Sequence, residues 1–385
     1  MARPVSSAVL RAVNTTVITE AVPIAARRRT RPGVLLAALL LAAALLPAAA
    51  QAAVRELTHI SFHSASGMYD RFNELFAEHY RSLTGDEVRI TMLQDTDDRI
   101  VAAVNDGSIE ADLVTVSSSV EVDEIVTGSG RIAENWRILQ PNNSSPFSSA
   151  LVLMVRAGNP LGIRDWDDII TSGARMVTAS PRMSGFGRYG YYNVYVHAYL
   201  KFQGDQKQIM GYIRSLNRQI AYMTPSSRVS RELFWAGRGD VLPIWESEAL
   251  RHERESGGQE GAFELIYPTV NVLCRPRIVV VTGNSDAHGV TDVAGEYVKF
   301  IYSDQGQELL ADFGLRPVQP AASRRHRQDF ASIRHIDMSQ FGDLKAFKND
   351  HFRSGGLYDR HVRFPDTQGA AATGGGTGAD ADGSR

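Results

Sequence analysis

From residue 55 the chain alternates short apolar runs of β type with stretches whose apolar residues recur at helical spacing. Leu57 to Phe62 reads as a strand. Tyr69, Phe72, Leu75, Phe76, His79, Tyr80 and Leu83 then mark one face of a helix that Gly85 stops. A strand over Val88 to Met92 follows, then a helix near Thr96 to Val104 that ends at Asn105-Asp106-Gly107, then a strand over Leu113 to Val116. The rhythm continues through strands at Leu151 to Val155, Met176 to Ala179, Ile220 to Tyr222, Val241 to Ile244 and Ile278 to Val281. Such alternation predicts α/β layers with largely parallel sheets. Residues 366–385 are rich in Gly, Ala and Asp without apolar period and read as a disordered tail.

The first 52 residues have another character. Arg27-Arg28-Arg29 and Arg31 form a basic region, Val34 to Leu46 is a continuous apolar run, and Ala48-Ala49-Ala50-Gln51-Ala52 offers small-residue cleavage sites. That is the layout of an export signal. The run falls short of the roughly 20 residues a membrane span needs, which disfavours an uncleaved anchor. With no cysteine closing it, a lipoprotein anchor is excluded as well. The expectation is a soluble mature protein outside the cytoplasm, in a bacterium the periplasm. Removing the leader leaves 35 basic against 42 acidic residues, a net charge of −7 with His neutral, which argues against nucleic acid as a partner. The single cysteine, Cys274, can form no internal disulfide and reads as an inert core or loop thiol.

Chemistry is expected where strands hand over to helices, because ligands of open α/β sheets bind beyond the strand ends and helix N-termini offer unpaired N–H groups to anions. Four junctions are polar or glycine-bearing without being strongly basic: His63-Ser64-Ala65-Ser66-Gly67, Gln94-Asp95-Thr96-Asp97, Arg182-Met183-Ser184-Gly185-Phe186-Gly187 and Thr224-Pro225-Ser226-Ser227. Together they can hold a small oxyanion through N–H and hydroxyl dipoles. Singly, each also reads as an ordinary N-cap.

Several longer motifs add a resemblance. These are Asn142-Asn143-Ser144-Ser145-Pro146-Phe147, Arg156-Ala157-Gly158-Asn159-Pro160 with Asp165-Trp166-Asp167-Asp168, Gly239-Asp240-Val241 running to Trp245-Glu246-Ser247-Glu248, and Tyr302-Ser303-Asp304-Gln305-Gly306-Gln307-Glu308. With Asp350-His351-Phe352 and Gly355-Gly356-Leu357-Tyr358-Asp359 they resemble, in order over about residues 55–365, the periplasmic sulfate/thiosulfate-binding proteins of ABC importers. The resemblance implies an α/β, two-lobed periplasmic binding protein of type II, with mixed sheets flanked by helices and the ligand cleft between lobes. It also implies a small inorganic oxyanion as ligand, an ABC permease as partner, a monomer, and no cofactor, metal or chemistry of its own. Lobe 1 is expected over 54–142 plus 271–325, lobe 2 over 143–270, and a C-terminal extension over 326–365.

Carried over residue by residue, the resemblance assigns ligand binding to Ser184, Gly185 and Phe186 (hydroxyl and backbone N–H), to Trp245 (indole N–H, a donor only), and to the backbone of Ser227 and of His63. The family's serine of the second loop falls on Asp97. A carboxylate about 4 Å from a dianion at an effective dielectric near 20 is opposed by about 8 kcal/mol, which cancels a micromolar affinity of about −8 kcal/mol. Three readings stay open: Asp97 turns away as a helix N-cap, the register slips so that Thr96 supplies the hydroxyl, or the ligand carries a proton and donates to Asp97, which favours phosphate. Arg188 and Arg228 are either braces of binding-loop carbonyls or helix-surface cations. Arg324-Arg325-His326-Arg327 reads as a solvated face, and Trp166 and Trp235 as core or lobe-surface residues. A phosphatase or sulfatase is the competing class. It lacks a Gly-x-Ser-x-Gly motif, and its metal would have to be held by Asp95, Asp97, Asp98 and His63.

Overall fold

The computed structural model describes residues 53–62, 66–255 and 263–361. The leader, His63 and the Gly/Ala/Asp-rich tail lie outside them. Among the described residues no helix is long and apolar enough to cross a membrane.

Two separate sheets carry the fold. The first has the order β10-β3-β1-β2, built from β1 (Val54–Phe62), β2 (Glu87–Asp95), β3 (Leu113–Val116) and β10 (Arg277–Val280). Strands β2 and β3 run parallel to β1, and β10 is antiparallel to β3. The second has the order β7-β6-β8-β5-β9, from β5 (Leu151–Arg156), β6 (Met176–Ala179), β7 (Ile220–Thr224), β8 (Val241–Trp245) and β9 (Phe263–Ile266). Here β6 is parallel to β7 and β8, whereas β5 is antiparallel to β8 and β9. The sheets are therefore mixed rather than largely parallel, since β5, β9 and β10 reverse direction.

Both sheets are covered on both faces, which is why the inner strands β3, β5 and β8 are near-continuous apolar runs, whereas inner strand β1 carries Thr58, His59 and Ser61 among its apolar residues. Along β5 the odd positions Leu151, Leu153 and Val155 join one core with Trp166 and the Gly185–Lys201 helix, while Val152 and Met154 join another with Phe234. In the first sheet Leu57 and Leu113 face a core with Tyr69, Phe72 and Tyr297, and Ile60, Val114 and Val116 face a second core with Trp136. Edge strand β2 alternates instead, with Val88, Ile90 and Met92 half-buried between exposed Glu87, Arg89 and Thr91.

Two of the chain's crossings between the sheets lie side by side. Ser149 and Cys274 form an antiparallel bridge, each N–H donating to the other's carbonyl at 3.0 Å. The Asn271 amide clasps both the N–H and the C=O of Leu151, at 3.1 and 2.6 Å. The Asn142-Asn143 turn does adopt the left-handed conformation asparagine tolerates, φ 55° and 54°. Phe147 nevertheless still packs in the first core, and β4 (Phe147–Ser148) pairs with β11 (Arg316–Pro317), so the chain leaves the first sheet's side at Ser149. The C-terminal segment packs on the second sheet's core through Met338, Phe347, Phe352 and Tyr358.

Candidate functional site

Three of the four junctions meet in one cavity. Thr96 and Asp97, Ser184 to Phe186, Ser226 and Ser227, and Trp245 line it together with Phe62, Asp95, Ser117 and Cys274. Its volume is about 50 Å³, several times the roughly 10–15 Å³ that one water requires. Six of the seven residues assigned from sequence are thus brought together. The seventh, His63, lies outside the described residues, although β1 ends at Phe62 in the cavity wall.

Each junction delivers a helix start. Ser184 caps the Gly185–Lys201 helix, its hydroxyl accepting from the Gly187 N–H at 3.0 Å. Ser226 caps the Ser227–Trp235 helix by accepting from Val229, and Thr224 pins the same turn through the Ser226 carbonyl and Ser230. Thr96 stands at the cap position of the Asp97–Asp106 helix, but its side chain makes no capping bond. First-turn N–H groups have no intrahelical acceptor, and the macrodipole places partial positive charge on them. Among the described residues no Lys, Arg or His side chain lines the cavity, whereas the acids Asp95 and Asp97 do. The arrangement therefore offers an anion N–H and hydroxyl dipoles, with the Trp245 indole in the wall edge-on to Phe186 and Tyr189 at ring separations of 5.1 and 5.6 Å.

Close approach dictates the glycines of the Ser184 loop. A Cβ at Gly187 would lie 2.4 Å from the Ser180 carbonyl oxygen, so a larger residue would push the helix off strand β6 and its following loop. A Cβ at Gly185 would lie 2.0 Å from Asp97 Oδ2 and 2.6 Å from Ser117 Oγ. The Asp97 carboxylate thus rests directly against the loop expected to cradle the anion.

Asp97 corrects the N-cap reading. Thr96 occupies the cap, and Asp97 is the first helical residue, 3% exposed, with its carboxylate turned to Ser117. It accepts from the Ser117 N–H at 3.0 Å and from the Ser117 hydroxyl at 2.8 Å. Burial, then the Glu121 charge, push its carboxyl up to about 6 against the opposing pull of Arg188 and the Ser117 bonds. Arg188, almost fully buried, reaches Asp98 at 2.9 Å, Glu121 at 3.5 Å and Asp97 at 3.6 Å. Lys348 of the Leu344–Phe352 helix adds contacts to Glu124 at 3.0 Å, Glu121 at 3.3 Å and Asp98 at 3.5 Å. Against its burial, Lys348 and Arg188 hold Glu121 below the usual carboxylate range. The cluster therefore sets two cations against four carboxylates and ties elements of both sheets to the C-terminal segment.

Other sequence readings resolve simply. Arg188 grips acids, while Arg228 is 62% exposed and pairs with Glu232 one turn on, a helix-surface cation. In the Arg324–Arg327 run, Arg325 and His326 both reach Glu308. Trp166 is buried in the second sheet's core beside Leu151 and Leu153, and Trp235 sits at the surface beside His252 and Phe263. Sequence reasoning missed Ser117 and the place of Cys274 in the cavity wall. The only available signal was Ser117-Ser118-Ser119 directly after β3, another strand-to-helix junction.

Comparison with known proteins matches residues 60–316 to the family model described as bacterial extracellular solute-binding protein. The chain is 32% identical over 307 residues to the sulfate-binding protein of Escherichia coli K12, covering 79% of this chain and 92% of that one. It is 31% identical over 310 residues to the thiosulfate-binding protein of Pseudomonas aeruginosa, covering 80% and 92%. Among solved structures, the sulfate-binding protein SubI from Mycobacterium tuberculosis superposes with a TM-score of 0.67 at 24% identity, over 78% of this chain and 100% of that one. A putative extracellular solute-binding protein from Bordetella parapertussis gives 0.54 at 14% identity, over 80% and 99%.

Proposed function

This chain belongs to the bacterial extracellular solute-binding proteins, and on that premise we propose that it binds a tetrahedral oxyanion, sulfate or thiosulfate, in the Ser184–Trp245 cavity. We place it in the periplasm as a monomer that passes the anion to an ABC permease and performs no chemistry on it. The observation that carries the reading is the cavity itself, where six residues assigned from sequence converge around a space lined by N–H and hydroxyl donors, by the acids Asp95 and Asp97 and, among the described residues, by no cationic side chain. Three helix starts replace the counter-ion. Each supplies a fraction of a charge, and the partly buried setting between two sheets makes their fixed dipoles count for more than they would in bulk water. Such a seat holds its anion without a salt bridge that would have to break on release.

Specific roles follow. The N–H groups of Gly185 and Phe186 donate from the head of their helix, the Ser227 N–H donates from the second, and the Thr96 hydroxyl, unused as a cap, is a donor from the third. Trp245 donates its indole N–H. Phenylalanine at 245 keeps the edge contacts to Phe186 and Tyr189 but loses that donor. Trp245→Phe is therefore expected to weaken anion binding by about 1.5–3 kcal/mol, the range of a hydrogen bond to a charged group, with a smaller change in the melting temperature of the ligand-free protein. Calorimetry with sulfate, thiosulfate, phosphate, molybdate and tungstate tests the reading. Unaltered binding with collapsed stability would make Trp245 a core residue only. Tight binding of none of these anions would remove the reading altogether.

A further inference from the structure

The Asp97 carboxylate shares the proposed anion's cavity, and this sets a condition on what can bind. Both its oxygens are engaged by Ser117, yet a carboxylate has about four acceptor sites and Ser117 fills two. Oδ2 lies against Gly185, whose N–H belongs to the helix start proposed to hold the ligand. The helix cannot retreat, because Gly187 packs on the Ser180 carbonyl. The side chain cannot swing out to water either, since it is buried beneath that loop.

The charged surroundings do not neutralise it. Asp98 on its own helix and Glu121 and Glu124 on the Ser119–Ser129 helix are like charges. Asp95 lines the same cavity. Among the described residues, Arg188 from the Gly185–Lys201 helix and Lys348 from the C-terminal segment pair with these acids, and both are shared with Asp98 and Glu121, while Arg277 of β10 lies farther off beside Tyr189 and Cys274. Tyr189, Tyr192 and Cys274 also face this region, and burial raises all three, so they stay neutral. A dianion entering beside an ionised Asp97 would add to an existing excess of negative charge.

Resting on the oxyanion reading, we propose that Asp97 is a specificity-determining residue that makes binding proton-coupled: the bound anion and the Asp97 carboxylate share one proton. A fully deprotonated anion such as sulfate draws that proton from solution onto Asp97 as it binds. Hydrogen phosphate brings its own and donates it to Asp97. Each complex thus holds one proton between the anion and the carboxylate, the phosphate complex carrying one more negative charge than the sulfate complex, and the cavity accepts either only at this one-proton inventory. By linkage, proton uptake equals the fall in log affinity per pH unit.

The test is calorimetric titration of the leader-free protein with sulfate at pH 8 in buffers of differing ionisation enthalpy, joined to sulfate affinity from pH 5 to 8.5. The expected result is uptake approaching one proton at pH 8. Affinity should fall nearly tenfold per pH unit at the alkaline end and level off toward pH 5. Phosphate at pH 8 is expected to bind with uptake near zero. Asp97→Asn should remove the sulfate uptake and flatten its pH dependence. Asp97→Ser serves the same purpose if the amide variant does not fold. Sulfate binding without uptake, or with uptake that survives both substitutions, overturns the proposal while leaving the oxyanion reading intact. Binding of neither sulfate nor phosphate, by the natural protein or either variant at any pH, overturns the proposal, and the oxyanion reading falls with it when thiosulfate, molybdate and tungstate are not bound either.

Discussion

Replacing Arg188 with methionine is expected to cost about 3–5 kcal/mol of folding stability, because it leaves buried Glu121 and Asp97 without their shared cation. Lys348, 3.3 Å from Glu121, offsets part of the loss, so the lower end of that range is the better figure. Methionine keeps most of the side-chain volume, which makes the effect electrostatic rather than a packing defect. Its pH dependence has a definite sign. Lys348 and Arg188 hold the Glu121 carboxyl below its usual range in the folded protein. That contribution is present above the unfolded carboxyl range and is lost as pH falls through the lower folded value. Asp97 lies on the other side: its folded value is raised, so its ionised form costs stability as pH rises through about 6. Without Arg188 both carboxylates become easier to protonate. The gap between natural and variant proteins should therefore narrow from pH 8 toward pH 5. Urea denaturation at several pH values reads this directly. A gap that is below 1 kcal/mol at pH 8, or that widens on acidification, would show that the cluster contributes little to the fold.

Gly185→Ala should reduce oxyanion affinity about 100-fold, roughly 2.7 kcal/mol by the affinity scale. The new methyl carbon would stand 2.0 Å from Asp97 Oδ2 and 2.6 Å from Ser117 Oγ, far inside contact distance. Alanine itself suits a first helical turn, so propensity does not oppose the change. The obstacle is a carboxylate pinned by two bonds from Ser117, and relieving it moves either the Gly185 N–H or the Asp97–Ser117 pair. Overpacking of this kind also costs about 1–3 kcal/mol of stability. A double-mutant cycle separates the clash from other effects: with Asp97→Ala in the background, Gly185→Ala should lose most of its penalty. Equal penalties in both backgrounds would mean that the two residues do not meet.

Much of this fold could be read from periodicity. The strand runs at Leu57, Leu113, Leu151, Met176 and Val241 are short, apolar and bounded by helical stretches, and each became a strand within a residue or a few of the expected limits. Strand direction was not legible, because a run buried on both faces has the same composition whether its neighbour is parallel or antiparallel. For that reason alternation alone suggests largely parallel sheets, and the mixed sheets follow only from the resemblance. The site was legible to the extent that it depends on cap residues after strands, as at Ser184 and Ser226. Asp97 was visible as a departure, but its orientation depends on Ser117, 20 residues away. The acid-bound role of Arg188 depends on Asp98, Glu121 and the C-terminal Lys348, separated along the chain by up to 250 residues and without shared local pattern.

The most direct measurement is a crystal structure of the leader-free protein with selenate, the heavier tetrahedral analogue of sulfate, located by the anomalous signal of selenium. The account predicts one strong peak between the starts of the three helices, its oxygens within hydrogen-bond reach of the Gly185, Phe186 and Ser227 N–H groups and the Trp245 indole. A selenate bound in solution but located anywhere else, or a cavity still empty at saturating selenate, would contradict it.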